Sequence, residues 1–455
     1  MTSYSKFHLK KFETKKFFGT VKKTNNIFYY LKNGKKIMDT TSGWTSHATL
    51  GFNNPDILRA IKIQMKKFFH VDYNVWHNPQ IDQLSEILSK NTGSNNYKIY
   101  FAGCSGSESL EAAFKLSYQA HYNSGFSKKK IILSRIQSFH GATLQALQAS
   151  ELPILDIFQN NNNRSNVKIH QHNYFAICKF NIKSNSCECG KKPNICMGRL
   201  NDESQKKYLS RSVKYLEEAI RKFGAENINA FVGETQLGSL VGDVPAIKGY
   251  WKQISKICKQ NNIHLILDEV YCGLGRSGKF YSFLWEKIKP DFICLGKNTT
   301  GGSIPLSFLL VKNNFENQIL KKGGRIRIGH TFQGYSLGVA AALQTAKIIE
   351  KKSFLKNVNI NGKYMMDCLK QELSKDEFFD NVRGRGLQFS LEHSTPDNIK
   401  FSDILTQIMF QKYDILINSK FHRTSFTPSL IISRKNINYI LDKFFKSFRE
   451  AKEKF

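Results

Sequence analysis

Two short apolar runs, each closed abruptly by a charged side chain, constrain this chain more than any other feature. The first is Leu265-Ile266-Leu267, ended by Asp268 and followed by Glu269-Val270. The second is Phe292-Ile293-Cys294-Leu295, followed by Gly296-Lys297. Runs this short and this apolar read as strands buried on both faces, the pattern of a parallel sheet. In open α/β sheets, ligands sit beyond the carboxyl ends of the strands. A carboxylate and an amine are therefore expected at one sheet edge, where they suit a cofactor that needs both.

The rest of the chain supplies such a sheet. Strands are predicted at residues 98–102, 130–133, 228–234, 264–267, 291–295 and 307–311, and helices at 109–121, 208–223 and 249–260. That alternation predicts an α/β fold with a mostly parallel sheet flanked by helices. Before it, residues 1–25 read as a loosely structured arm. A hairpin over 27–38 then turns at Asn33-Gly34, and Asn54-Pro55-Asp56 opens a helix. Beyond a small-residue helix at 337–349 the pattern changes to a long helix ending at 373, a strand at 382–390, shorter elements and a last helix at 437–448. The expected organisation is an arm and hairpin (1–75) joining a smaller domain, a large cofactor-binding domain (76–334) with a polar insertion at about 155–205, and a small α+β domain (335–455).

With 455 residues, 41% of them hydrophobic, the chain can bury a substantial core. Its formal net charge of +32 raises the question of a nucleic-acid partner. Lys, Asn, Ile, Phe and Tyr are abundant together, all residues of AT-rich codons, and the basic residues are scattered with no long basic tail. Compositional drift explains that pattern better than nucleic-acid binding does. Nine cysteines, an odd number in a long chain, exclude a disulfide scaffold. Cys187, Cys189 and Cys196 depart from the spacing of zinc pairs, so no metal is assigned. The basic first stretch lacks the apolar core of a secretory signal, and no run approaches the ~20 apolar residues of a membrane span. A cytoplasmic protein without a membrane partner is expected.

Further motifs surround the two charged strand ends. Ser105-Gly106-Ser107-Glu108 lies between a predicted strand and a predicted helix, which presents backbone N–H groups and a helix dipole to a phosphate. Phe139-His140-Gly141 follows a strand, where an aromatic can stack on a planar ring. Gly273-Leu274-Gly275-Arg276-Ser277-Gly278 and Gly329-His330-Thr331-Phe332-Gln333-Gly334 come after Asp268 and Lys297 respectively. In this order and at these spacings, the sequence resembles the class III aminotransferases of the omega type, which share fold type I of the pyridoxal-phosphate enzymes. The resemblance covers nearly the whole chain.

It implies pyridoxal 5'-phosphate as cofactor and transfer of an amino group from a primary amine or ω-amino acid to a 2-oxo acid, pyruvate or 2-oxoglutarate. Lys297 would bond the cofactor covalently and move the proton, and Asp268 would pair with the pyridine nitrogen. Val270 and Phe139 would sandwich the ring, and Gly106 and Ser107 would hold the phosphate. Glu234 matches the family's active-site carboxylate. Thr331 would reach the phosphate from the partner subunit of a homodimer with a shared active site. The chain also departs from the family. Glu234-Thr235-Gln236-Leu237-Gly238 stands where members carry Glu-Pro-x-Gln-Gly, and Tyr271 where many have Gln. Ala142 replaces the Arg that grips an α-carboxylate in acetylornithine-type enzymes, and Ser239 a Glu of ornithine-type enzymes. Asn418 stands where many omega-type enzymes have a mobile Arg. On the substrate side, Trp44 and Arg423 are the candidates: Trp44 matches a pocket aromatic, and Arg423 lies near the missing arginine. The altered 234–238 segment leaves open other chemistry of the same cofactor (phospho-lyase, racemase or aminomutase). The charge leaves open a non-catalytic basic binding protein.

Overall fold

The computed structural model describes residues 18–135, 138–150, 167–171, 202–238, 241–320 and 324–455. Its first strands are β1 (Val21–Asn25), β2 (Phe28–Leu31) and β3 (Lys36–Asp39). Next come β4 (Tyr97–Gly103), β5 (Ile131–Arg135), β6 (Val167–Gln171), β7 (Ile228–Glu234), β8 (His264–Asp268), β9 (Phe292–Leu295) and β10 (Ser307–Lys312). These seven form one sheet in the order β4-β10-β9-β8-β7-β5-β6. Among the described strands, β10 pairs antiparallel with both β4 and β9; the other pairings are parallel.

Burial on both faces explains the unbroken apolar runs. Leu265, Leu267, Ile293 and Leu295 belong to one core cluster, with Trp251 and Ile254 of the helix Tyr250–Gln260 and Val339 and Leu343 of the helix Ser336–Ile349. The alternate residues Ile266, Phe292 and Cys294 face a second cluster, with Leu110, Ala113 and Phe114 of the helix Gly106–Asn123. Each fully buried Leu or Ile contributes roughly 1.5–3 kcal/mol relative to exposure, so polar residues are tolerated only where a strand ends.

The C-terminal strands are β11 (Phe379–Arg385), β12 (Gln388–His393), β13 (Ile415–Leu416), β14 (Asn418–Lys420) and β15 (Arg423–Phe426). Four of them make a sheet in the order β11-β12-β15-β14, covered by the helices Lys352–Leu373, Asn398–Tyr413 and Arg434–Glu453. The N-terminal hairpin joins this region: β13 pairs in parallel with β3, and Ile27 and Met38 pack into the same core cluster.

Two expectations are corrected. Residues 382–390 are not one strand. The chain reverses between β11 and β12, with Gly386 at φ +57 in the turn, and the two strands pair antiparallel. The expected arm is also shorter, because Val21–Asn25 pairs with β2. Most of the 155–205 insertion, including Cys187, Cys189 and Cys196, lies outside the described residues, as does Ser239. Among the described residues, no helix is long and apolar enough to cross a membrane.

Candidate active site

The carboxyl ends of three neighbouring strands lie flush. Glu234 of β7 is opposite Asp268 of β8, and Asp268 is opposite Cys294 of β9. The chain leaves β9 through Gly296, and Lys297 begins a short helical turn with φ +40. A non-glycine residue held there stores roughly 1–3 kcal/mol of strain, which the surrounding packing must impose. That packing is tight. A Cβ on Gly296 would lie 2.9 Å from the backbone nitrogen of Gly106, and a Cβ on Gly106 would lie 2.6 Å from Val270 Cγ1. Glycine at both positions lets the lysine-bearing turn, the helix start and the residue after β8 meet.

Asp268 is only 4% exposed. Its Oδ2 pairs with His140 Nδ1 at 2.8 Å, and its Oδ1 accepts the Val270 N–H at 3.0 Å. His140 is itself buried, anchored by its N–H to Ser150 Oγ at 2.7 Å, and its Nε2 finds no partner among the described residues. Glu234 accepts the N–H groups of Gly238 at 3.2 Å and Phe139 at 3.4 Å. Burial raises its carboxyl to about 7; nearby His140 opposes the rise and Asp268 adds to it. Behind it, Arg135 Nη2 donates to the Glu234 carbonyl at 2.5 Å. Burial also pushes the Lys297 ammonium below its ordinary value, against the pull of Asp268 and Glu234. Its Nζ lies 5.6 Å from the centre of the Tyr271 ring.

The helix Gly106–Asn123 starts at the same edge. Ser105 caps it by accepting the Glu108 N–H, while Glu108 takes the Ser105 N–H at 2.7 Å and the Cys104 N–H at 2.8 Å. This reciprocal cap fixes the helix start and leaves its positive end toward the opening. Ser107 Oγ accepts the Ala142 N–H at 3.0 Å, which draws the loop carrying Phe139 over the helix terminus.

These groups border one cavity of about 660 Å³, which Trp44, Asn418 and Lys420 also line. Trp44 sits at φ +70 in a loop held by buried Asp39. The Asp39 carboxylate accepts the Thr41 hydroxyl at 2.5 Å, the Gly43 N–H at 2.6 Å and the Thr41 N–H at 2.7 Å. The Thr41 hydroxyl in turn accepts the Trp44 N–H at 2.7 Å.

Gly106, Ser107, Phe139, Glu234, Asp268, Val270, Lys297 and Trp44 thus come together around one space. Two expected site residues do not line it. Arg423 is 5% exposed on β15, opposite Glu392 of β12, and its charge faces Asp243 and Glu392. Burial lowers it to about 10. Among the described residues, the cation that lines the cavity besides Lys297 is instead Lys420. Thr331 lies exposed in a loop, where its carbonyl accepts from His70 Nε2 at 3.0 Å. Sequence reasoning also missed the His140–Asp268 pair, Arg135 behind Glu234, and Asp39. Asp39 did carry a signal: it closes a short strand with one carboxylate, as Asp268 does.

An amine pushed toward neutrality, an anchored carboxylate and a capped helix terminus border one cavity. That donor set fits a phosphorylated aldehyde with a ring nitrogen, so the fold and site define a pyridoxal-phosphate enzyme of fold type I. The sequence pattern of the family described as aminotransferase class-III matches residues 11–448, and the chain belongs to that family. It is a pyridoxal-phosphate-dependent aminotransferase, and enzymes of this family use small-molecule amines and keto acids. An aminotransferase of Gibberella zeae is 30% identical over 376 residues, 82% of this chain and 69% of that protein. A gamma aminobutyrate transaminase 2 of Solanum lycopersicum is 26% identical over 447 residues, covering 95% and 92%. An amine transaminase from an uncultivated Pseudomonas species, solved with the cofactor bound, shares the fold with a TM-score of 0.85 over 99% of both chains at 20% identity.

Proposed function

We propose that this enzyme transfers an amino group from a primary amine or ω-amino acid to a 2-oxo acid such as pyruvate or 2-oxoglutarate. The observation that carries the reading is the placement of Lys297, Asp268 and Glu234 at one edge of a cavity that Trp44 and Lys420 also line. The donor leaves as a carbonyl compound and the 2-oxo acid leaves as an amino acid, so the amino group is conserved over two half-reactions. Ala142 puts no charge on the loop beside Phe139, which favours donors whose amine is remote from any carboxylate.

When bound, pyridoxal phosphate supplies an aldehyde that carries amino groups and a ring that takes up electron density. Asp268, fixed by Val270 and His140, holds a proton at the ring nitrogen and so strengthens that uptake. Gly106 and Ser107 would hold the phosphate at the helix terminus. Phe139 and Val270 would hold the ring. Lys297, whose ammonium is pushed below its ordinary value by burial, would take a proton from the substrate carbon and return it. Glu234 anchors the Phe139 loop on the same edge.

The reading includes a homodimer in which the partner subunit's Thr331 completes the phosphate site. An exposed apolar patch supports it. Phe69, Val75, Trp76 and Phe332 are 57%, 71%, 64% and 58% exposed. His70 and Gln333 join the two segments, through the His70–Phe332 ring contact and the Gln333–Tyr73 hydrogen bond. Monomeric surfaces rarely leave such patches uncovered.

The test is spectroscopic. The holoenzyme is mixed with a panel of amines, then with pyruvate or 2-oxoglutarate. A donor should bleach the visible cofactor band, and the oxo acid should restore it. Ammonia release without an acceptor would instead assign the cofactor to another reaction.

A further inference from the structure

We propose that Lys420 recognises a carboxylate on the substrate, so that the cavity takes ω-amino acids in preference to plain amines. This inference rests on the amino-transfer reading above and adds the substrate class to it.

Lys420 is the last residue of β14, and its side chain lines the cavity that holds Lys297. Among the described residues that line it, these two are the lysines, and none is an arginine. Lys297 is committed to the cofactor. Lys420 Nζ lies 4.9 Å from the centre of the Trp44 ring, and no carboxylate among the described residues forms an ion pair with it. An aromatic face is a weak partner for an ammonium, worth about 0.5–1 kcal/mol at exposed sites. The cross-strand neighbour of Lys420 is another cation, Arg423. The acids nearest to Arg423 are already engaged: Glu392 is paired with Arg383, and Asp243 accepts from Ser390 at 2.6 Å. Burial and the Arg423 charge both press the Lys420 ammonium to lose its proton. An incoming carboxylate relieves that pressure.

The surroundings fix the backbone that carries the cation and the loop that carries the ring beside it. The Asp39 carboxylate holds the loop that presents Trp44, and β14 is paired along its length with β15. A substrate with its amine toward Lys297 can lay its carbon chain by Trp44 and its carboxylate by Lys420. The same cation suits the carboxylate of a 2-oxo acid in the second half-reaction.

The experiment compares wild type, Lys420→Met, which keeps most of the apolar stem, and Lys420→Arg. Each half-reaction is measured alone, with 5-aminopentanoate against pentylamine as donors and pyruvate against propanal as acceptors. The preference for the carboxylate-bearing partner, as a ratio of kcat/KM, should fall about 10- to 100-fold in Lys420→Met, as for loss of a charged hydrogen bond. Lys420→Arg should recover it. A fall confined to the acceptor half-reaction would overturn the preference for ω-amino acid donors. An unchanged ratio in both overturns the proposal while leaving amino transfer intact. Calorimetric binding of pentanoate and pentanamide to the holoenzyme is the second measurement and needs no turnover. Pentanoate affinity should fall about 10- to 100-fold in Lys420→Met with no matching fall for the amide. Equal changes for both ligands would overturn the proposal even if no donor turned over.

Discussion

Replacing Gly106 by alanine tests whether the cofactor cradle depends on the close approach of three chain segments. The new Cβ would lie 2.6 Å from Val270 Cγ1 and 2.7 Å from Val270 Cγ2. Both distances are far inside van der Waals contact, so either Val270 or the helix start must move. Overpacking of this kind costs about 1–3 kcal/mol. If that cost falls on the bound state, cofactor affinity drops about 5- to 100-fold, at ~1.4 kcal/mol per factor of ten. The assay is absorbance titration of the apoenzyme with pyridoxal phosphate, with thermal unfolding of the apoenzyme measured alongside. Val270→Ala removes both clashing carbons, so the double variant closes a mutant cycle. The account requires a coupling of about 1 kcal/mol or more between the two positions, above the ~0.5 kcal/mol expected of independent sites. Wild-type affinity in Gly106→Ala, or additive effects in the cycle, would refute the reasoning.

Two further outcomes follow from the buried carboxylates. Glu234 is raised to about 7 from 4.5, so its folded-state stability term is full below pH 4.5 and is lost as pH rises through 7. Relative to Glu234→Gln, the wild-type apoenzyme should lose about 3 kcal/mol between pH 4.5 and 7.5 in urea unfolding, and a pH-independent difference would contradict the assignment. Asp39→Asn keeps one acceptor oxygen where the carboxylate serves Thr41 and Gly43. It should lower stability by about 1–3 kcal/mol and raise donor KM more than it lowers kcat, as Trp44 loosens; an unchanged KM would mean that the loop is held by other contacts.

Strand ends made the cofactor side of the site legible. A carboxylate or amine that interrupts an apolar run can sit only where the sheet stops, which placed Asp268, Lys297 and Glu234 correctly at one edge. The small-residue turn at Ser105 was legible for a related reason, because its residues are those that cap a helix. The substrate side was less so. Arg423 and Lys420 are three positions apart, and which of them lines the cavity depends on how the β14–β15 hairpin packs. Arg423 is drawn inward opposite Glu392, while Lys420 is left at the opening. His140 was read as a neighbour of a stacking ring, yet it grips Asp268 across 128 positions of sequence. The hairpin within residues 379–393 was missed because Arg-Gly-Arg-Gly is ambiguous between an extended and a turning segment until Gly386 takes positive φ.

The central claim is that Lys297 both carries the cofactor and is released from it by an amine donor. Borohydride reduction of the holoenzyme, followed by peptide mass mapping, tests it directly. The account predicts a cofactor adduct on the peptide containing Lys297, loss of that adduct when a donor is added before reduction, and its return when a 2-oxo acid follows the donor. An adduct on another lysine, or one on Lys297 that persists in the presence of every donor, would contradict the account.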